Sequence, residues 1–311
     1  MSESSKGRPI LRLFISAVNS ADDLQLQAAL SRIASQNTSV KVNAQPQEGH
    51  YGLEGRAESD LDSICDRLRD EYHLAINVGS PTAILLETVR KQAEAEGKYI
   101  RQTGGSGNYG HCKLRIEPDV PGKGYEFIND LKVGSIPSEY VESIDKGIQA
   151  AMRQGVVGGF PVVDVKVTLY DGSYHETDSN PMAFTFAASI AFKEAAKKAS
   201  PVLLEPVMAI EIDVPEELLA ATRQEIYKLR GRIESNVTAD GFCEIEAVVP
   251  LSELLVSSSG ISVCPMEFAG YEAVRDSGLS DENGSGVTAN KPNGPRPGRQ
   301  SETPRPDPEE D

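Results

Sequence analysis

The chain has 311 residues, room for two or three modest domains, and its 39% hydrophobic content with no tryptophan suits small mixed units better than one large core. A formal net charge of −16 excludes a generally basic nucleic-acid binder, so any RNA contact must come from a local cluster. Four cysteines (Cys65, Cys112, Cys243, Cys264) form no C-x-x-C pair, and no stretch reaches the ~20 apolar residues that span a bilayer; the expectation is reduced thiols, a cytoplasmic location and no membrane partner.

In chain order, "ILRLFISAV" is a strand candidate; Arg12 interrupts its apolar run, so it is not a secretory core. The next segment places Leu26, Leu30 and Ile33 on one helical face, with Ser20 or Asp22 as cap. Two short strands follow, "SVKVNAQ" and "HYGLEGRA", then a helix with Leu61, Ile64 and Leu68 in register, then the strand "LAINVGS". The order β-α-β-β-α-β predicts a ferredoxin-like unit. Further on, Val141, Ile144, Ile148 and Met152 form a helical stripe stopped by Gly155. Val163, Val165, Val167 and Leu169 alternate with polar residues, as in a strand buried on one face. Asn180 and Pro181 are a strong helix start, as N-cap and first helical residue. A second strand–helix–strand block runs from "EPVMAIEIDV" through Leu219, Thr222, Ile226 and Leu229 to "FCEIEAVV". After Val274 the chain is rich in Pro, Gly and acidic residues without periodicity, which predicts a disordered acidic tail.

Residues 104–111, "GGSGNYGH", hold four glycines in eight positions. A P-loop reading fails because His111 and Cys112 stand where Lys and Ser/Thr are required. A dinucleotide-binding reading fails because "HCKLRIEPDV" after the glycines alternates like a strand rather than opening a helix. The pattern predicts a β-hairpin with arms "KYIRQT" and "HCKLRIE" and the glycines as its tip. Lys98, Arg101, Lys113 and Arg115 on those arms suggest a local positive surface.

The runs "GGSGNYGH", "GYEFINDLKVGSIPSEYVESIDKGIQAAM", "GFPVVDVKVTLYDGSYHETDS" and "MAFTFAASIAFKEAAKKASPVLLEPVMAIEIDVPEE" closely resemble the C-terminal half of bacterial elongation factor G. The resemblance is densest from Pro81 to Glu217 and implies an α+β fold. Residues 10–80 would be a ferredoxin-like third domain and 81–205 the fourth domain; 206–274 would be a shortened ferredoxin-like fifth domain and 275–311 the tail. It implies that Gly104, Gly105, Ser106, Gly107, Asn108, Tyr109, Tyr174, His175, Asp178 and Ser179 form the tip of an arm. In the family that tip meets the ribosome: ribosomal RNA, and tRNA–mRNA at the decoding site. No catalytic, cofactor or metal residues are implied.

The departures carry expectations of their own. No G-x-x-x-x-G-K-[ST] occurs in the sequence, so no GTPase activity is expected of this chain, and a separate GTPase subunit becomes a candidate partner. Ser106 and Asn108 replace the family's tip arginine and glutamine, removing a cation. "GRAESDL" stands where the family has a Gly-Met-Gly-Glu-Leu-His-Leu-like run. Between "PLSEL" and "MEF" only "LVSSSGISVCP" remains, which predicts loss of the second helix of the last domain. The resulting reading is a ribosome-binding, elongation factor G-like protein without GTPase activity. The alternatives are a truncated paralogue acting as a non-ribosomal scaffold, and an enzyme using the His175 loop.

Overall fold

Alternation of apolar residues puts Leu11, Leu13 and Ile15 of β1 (Leu11–Ala17) on one buried face, and the rest of the first sheet forms around that strand. The computed structural model describes residues 7–36, 39–47, 49–103, 106–256 and 266–274, all within the unit Met1–Ser277. The expected tail at 275–311, together with Gly104, Gly105 and Cys264, lies outside the described residues. After β1 come α1 (Asp23–Gln36), β2 (Lys41–Gln47), β3 (His50–Gly55), α2 (Glu58–Asp70), β4 (Ile76–Val78) and the two-residue β5 (Thr82–Ala83). The sheet order is β2-β3-β1-β4, with β5 also on β1, as a ferredoxin-like unit requires. The predicted helix stripes are buried, Leu26, Leu30 and Ile33 on α1 and Leu61, Ile64 and Leu68 on α2.

The middle sheet has the order β7-β8-β10-β9. Its strands are β7 (Ala93–Thr103), β8 (Ser106–Pro118), β9 (Tyr125–Asn129) and β10 (Val165–Ser173), and its helices are α3 (Val141–Gln154) and α4 (Pro181–Lys198); β6 (Leu86–Val89) precedes them and pairs elsewhere. β9 runs parallel to β10, a strand that periodicity does not reveal because none of its residues is fully buried. α3 ends on Gly155, whose φ of 70° suits a residue without Cβ. α4 starts as expected, Asn180 Oδ1 accepting the Ala183 N–H at 2.9 Å with Pro181 behind it.

The last sheet, order β12-β13-β11-β14, is built on β11 (Pro201–Pro215), with α5 (Leu219–Lys228), β12 (Arg232–Ala239), β13 (Phe242–Pro250), α6 (Leu251–Val256) and β14 (Met266–Ala273). β12 is largely exposed and so lacks the alternation that marks β13. The expected loss of the second helix is corrected: α6 is present, short but anchored. Leu251 is buried, Leu254 and Leu255 pack on the core, and Arg230 donates to Glu253 at 2.7 Å and to Ser252 at 3.2 Å. The same guanidinium grips buried Glu205 of β11 through two bonds of 2.7 and 2.8 Å, a fork geometry that fixes helix to sheet. The thiols of Cys65, Cys112 and Cys243 are free and buried; burial pushes Cys112 up to about 12.

The first and last sheets share one hydrophobic cluster, running from Ile10 to Leu74 and from Met208 to Leu251, while the middle sheet has its own. The middle unit joins the last sheet through β6, which pairs with the start of β11 from Leu86↔Leu204 to Val89↔Pro201. On β6, Glu87 is 0% exposed, and its carboxylate accepts four backbone N–H groups from the turn after α3. Oε2 takes Val156 at 2.6 Å and Val157 at 3.1 Å; Oε1 takes Gly158 at 2.8 Å and Phe160 at 3.1 Å. A Cβ on Gly155 would lie 2.7 Å from Oε1, so the turn closes on the carboxylate only with glycine there. Glu87→Gln keeps the shape but turns an amide N–H₂ toward two donors. The expected loss is about 2–4 kcal/mol, with earlier melting than wild type and selectively faster hydrogen exchange at residues 155–163. Wild-type exchange rates in that turn would contradict the assignment.

Candidate functional site

Cross-strand pairing of β7 with β8 runs without a break from Ala93↔Ile116 to Thr103↔Ser106. The expected hairpin is present but its tip is narrower: Ser106, Gly107, Asn108, Tyr109 and Gly110 continue the strand, because their backbones complete a ladder with Thr103 back to Tyr99. The close approach that the glycines permit is to the chain itself. A Cβ on Gly110 would sit 2.5 Å from the Ala183 backbone of α4, and one on Gly107 would sit 2.8 Å from Asp178 Cγ. Farther down the same contact, a Cβ on Gly97 would lie 2.0 Å from Ala187 O, so α4 lies against β7 and β8 at glycine distance.

Residues 174–180, between β10 and α4, close onto this strand end. Tyr109 N donates to Asp178 O at 2.8 Å, and Ser179 Oγ donates to Tyr109 O at 3.0 Å. Gly107 N donates to Asp178 Oδ1 at 3.0 Å, and Asn180 Nδ2 to Asn108 Oδ1 at 2.7 Å. Within the turn, His175 N donates to Ser179 Oγ at 2.9 Å, while the His175 ring lies 3.1 Å from Thr177 Oγ1 and 3.4 Å from Asp178 Oδ2. Tyr140 reaches in from ahead of α3 to bond Ser179 O at 3.3 Å. Two segments about 70 residues apart in sequence thus form one surface. Tyr174 and His175 are exposed on it, and the Tyr109 ring stands 6.3 Å from the His175 ring. The Ser179 hydroxyl is bonded to backbone groups rather than to the His175 ring, so these residues do not have the geometry of an acyl-transfer triad.

Three family models match consecutive stretches: elongation factor G domain III over residues 7–80, domain IV over 81–200 and the elongation factor G C-terminus over 202–281. This chain belongs to the elongation factor G family. A crystal structure from Thermus thermophilus is 34% identical and superposes with a TM-score of 0.65 over 86% of this chain. This chain spans 41% of the length of that one. The tip described above lies wholly within the stretch matched by elongation factor G domain IV.

The electrostatics of this domain IV tip differ from the sequence expectation. Three of the four cations on the hairpin arms are matched by carboxylates: Lys98 by Glu96 at 3.3 Å, Lys113 by Asp171 at 2.8 Å and Arg115 by Glu94 at 2.8 Å. Two of these pairs follow from the ladders, which set Glu94 of β7 opposite Arg115 and Asp171 of β10 opposite Lys113, while Glu96 and Lys98 lie two residues apart on one face of β7. Among the described residues, Arg101 is exposed and forms no ion pair, so the local positive charge contracts to the strand end nearest the tip. Sequence reasoning missed Asn108–Asn180 and the group His111, Ser173 and Tyr109, whose contacts are set by register rather than spacing. Helix distance is testable. Gly110→Ala should lose roughly 1–3 kcal/mol through overpacking against Ala183 and disorder the tip's amide resonances. An unperturbed spectrum would show that the close approach is not required.

Proposed function

We propose that this elongation factor G-like chain binds the ribosome through its domain IV tip, as a translation factor without a GTPase of its own. In this reading residues 81–205 are the arm, 10–80 and 206–274 its base, and the location is cytoplasmic. The observation that carries it is the joining of residues 107–109 with residues 174–180 into one hydrogen-bonded surface bearing exposed Tyr174 and His175 beside Arg101. Rings that stack and a cation that meets phosphate are what RNA recognition needs at a strand end. The partners proposed are ribosomal RNA and tRNA–mRNA at the decoding site, with any nucleotide hydrolysis supplied by a separate GTPase subunit.

One observation favours the scaffold reading instead. On the exposed face of the last sheet Glu211 is paired across from Glu246, and Asp213 from Glu244. Like charges in opposite positions are destabilising, and they repel a polyanion, so RNA contact has to be confined to the tip or the acidic face has to meet a basic protein.

Co-sedimentation with ribosomes over a salt series separates the two. Ser106→Arg restores the family's cation without touching the Asn108–Asn180 bond, and should tighten binding by about 1 kcal/mol and steepen the salt dependence by about one ion. His175→Ala should weaken binding while leaving the melting curve in place, since its ring is mostly solvated. Binding that ignores both changes sinks the tip reading. Titration with a fluorescent GTP analogue should give no saturable signal from this chain; magnesium-dependent micromolar binding would contradict that.

A further inference from the structure

Beneath the tip, His111 is only 8% exposed although it sits on the face of the hairpin that carries the charged ladder. Its Nδ1 is 2.8 Å from Ser173 Oγ, and the same oxygen is 2.7 Å from the Tyr109 hydroxyl. Its Nε2 is buried and makes no close hydrogen bond among the described residues; Glu96 Oε2 lies 3.4 Å from it. The register explains the grouping: His111 pairs with Ser173 on one side and Lys98 on the other, and Tyr109 lies two residues along on the same face.

We propose that His111 is a positioning residue for the tip: acting through Ser173 Oγ, it sets the direction in which the Tyr109 hydroxyl donates, and so whether the tip offers an RNA acceptor a hydrogen-bond donor. Ser173 has one proton to give. When Nδ1 is bare, Ser173 donates to it and the Tyr109 hydroxyl donates inward to Ser173, presenting only lone pairs outward. When Nδ1 carries a proton, as in the other tautomer or the imidazolium, Nδ1–H donates to Ser173, Ser173 donates to the Tyr109 oxygen, and the Tyr109 proton turns outward.

The charged groups facing the ring are Glu96 and Lys98 from β7, Lys113 from β8 and Asp171 from β10. Burial holds the His111 pKa below the ordinary imidazole value, with Lys98 and Lys113 acting in the same direction and Glu96 opposing them. The neutral ring therefore prevails near neutrality, and with the Glu96 carboxylate beside Nε2 its proton sits there, leaving Nδ1 bare until the ring is charged. Neutral His111 stabilises the fold above the ordinary imidazole pKa, and that stability is lost as the pH falls through the lowered value.

The RNA part of this inference rests on the ribosome-binding reading, so the test has two arms. In the first, the full chain labelled with ¹⁵N-histidine and ¹³C-tyrosine is titrated by NMR between about pH 5 and 8, the imidazole range. The Tyr109 ring resonances should move with the His111 midpoint, and Ser173→Ala should remove that coupling. Tyr109 resonances blind to His111, or unchanged by Ser173→Ala, overturn the relay with no reference to ribosomes.

In the second arm, co-sedimentation compares variants at one matched pH below the His111 midpoint, where Nδ1 is protonated and Tyr109 donates outward. Tyr109→Phe, Ser173→Ala and His111→Phe should each weaken binding by about five-fold, the worth of one hydrogen bond. Pairs of these changes should weaken it no further, and His111→Asn, whose amide reaches the place of Nδ1, should restore much of the loss. Tyr109→Phe that binds like wild type overturns the donor role even if the relay stands. Wild type that does not sediment with ribosomes overturns the binding reading, and the donor role with it, while the NMR arm alone then decides the relay.

Discussion

One buried carboxylate joins the middle unit to the last sheet. Glu87 belongs by backbone pairing to the last sheet, through β6 and β11, yet its side chain closes a ring of four N–H donors at the end of α3 in the middle unit. A buried carboxylate is tolerable only when its oxygens are fully bonded, so the turn at 155–160 cannot drift from β6 without leaving buried acceptors unpaired. Backbone bonds reinforce it: Glu87 N donates to Pro161 O at 2.9 Å, and Val163 N donates to Glu87 O at 2.8 Å. β11 then leaves α4 after Ser200 and runs unbroken for 15 residues into the last sheet. The tip is thereby carried on secondary structure from base to end.

A second constraint acts along the arm. The buried face of α4 is mostly alanine, Ala183, Ala187, Ala188, Ala191, Ala195 and Ala196, with Phe184 and Phe192 filling the space between. Small residues bring helix and sheet backbones close, and each buried phenylalanine still contributes about 1.5–3 kcal/mol. The cost is that β7, β8 and α3 must present glycine at the contacts, at Gly97, Gly110 and Gly147. The same close approach seats Asn180 where its Oδ1 caps the helix and its Nδ2 holds Asn108. Packing and tip geometry are therefore one problem, solved by one helix start.

Charge is distributed to match. The chain is acidic overall at −16, and three of its four hairpin cations are matched by carboxylates on the same sheet, two of them cross-strand neighbours. What stays available at the strand end is small: Arg101 and the exposed rings of Tyr174 and His175. A polyanion approaching such a molecule is repelled by the carboxylate face of β11 and β13 at distances within a Debye length, ~8–10 Å.

Periodicity in the sequence determined the element order of the first unit, the buried faces of α1, α2 and β10, and the start of α4, since each depends on local spacing and local capping alone. The long, specific runs around residues 104–111 and 171–179 also determined the family and named the residues of the tip. Only the tertiary structure decided what those residues touch. Gly107 and Gly110 read as part of the hairpin tip because a strand packed against a helix at glycine distance carries no local signature. β9 and β12 escaped notice because neither has a clean buried face, and α6 because its anchors, Arg230 and Glu205, lie on other elements. The cations read as a positive arm because a sequence does not show which carboxylate stands across the ladder. His111, Ser173 and Tyr109 meet for the same reason: register, set by the pairing of β8 with β10, places chemistry together that lies more than 60 residues apart along the chain.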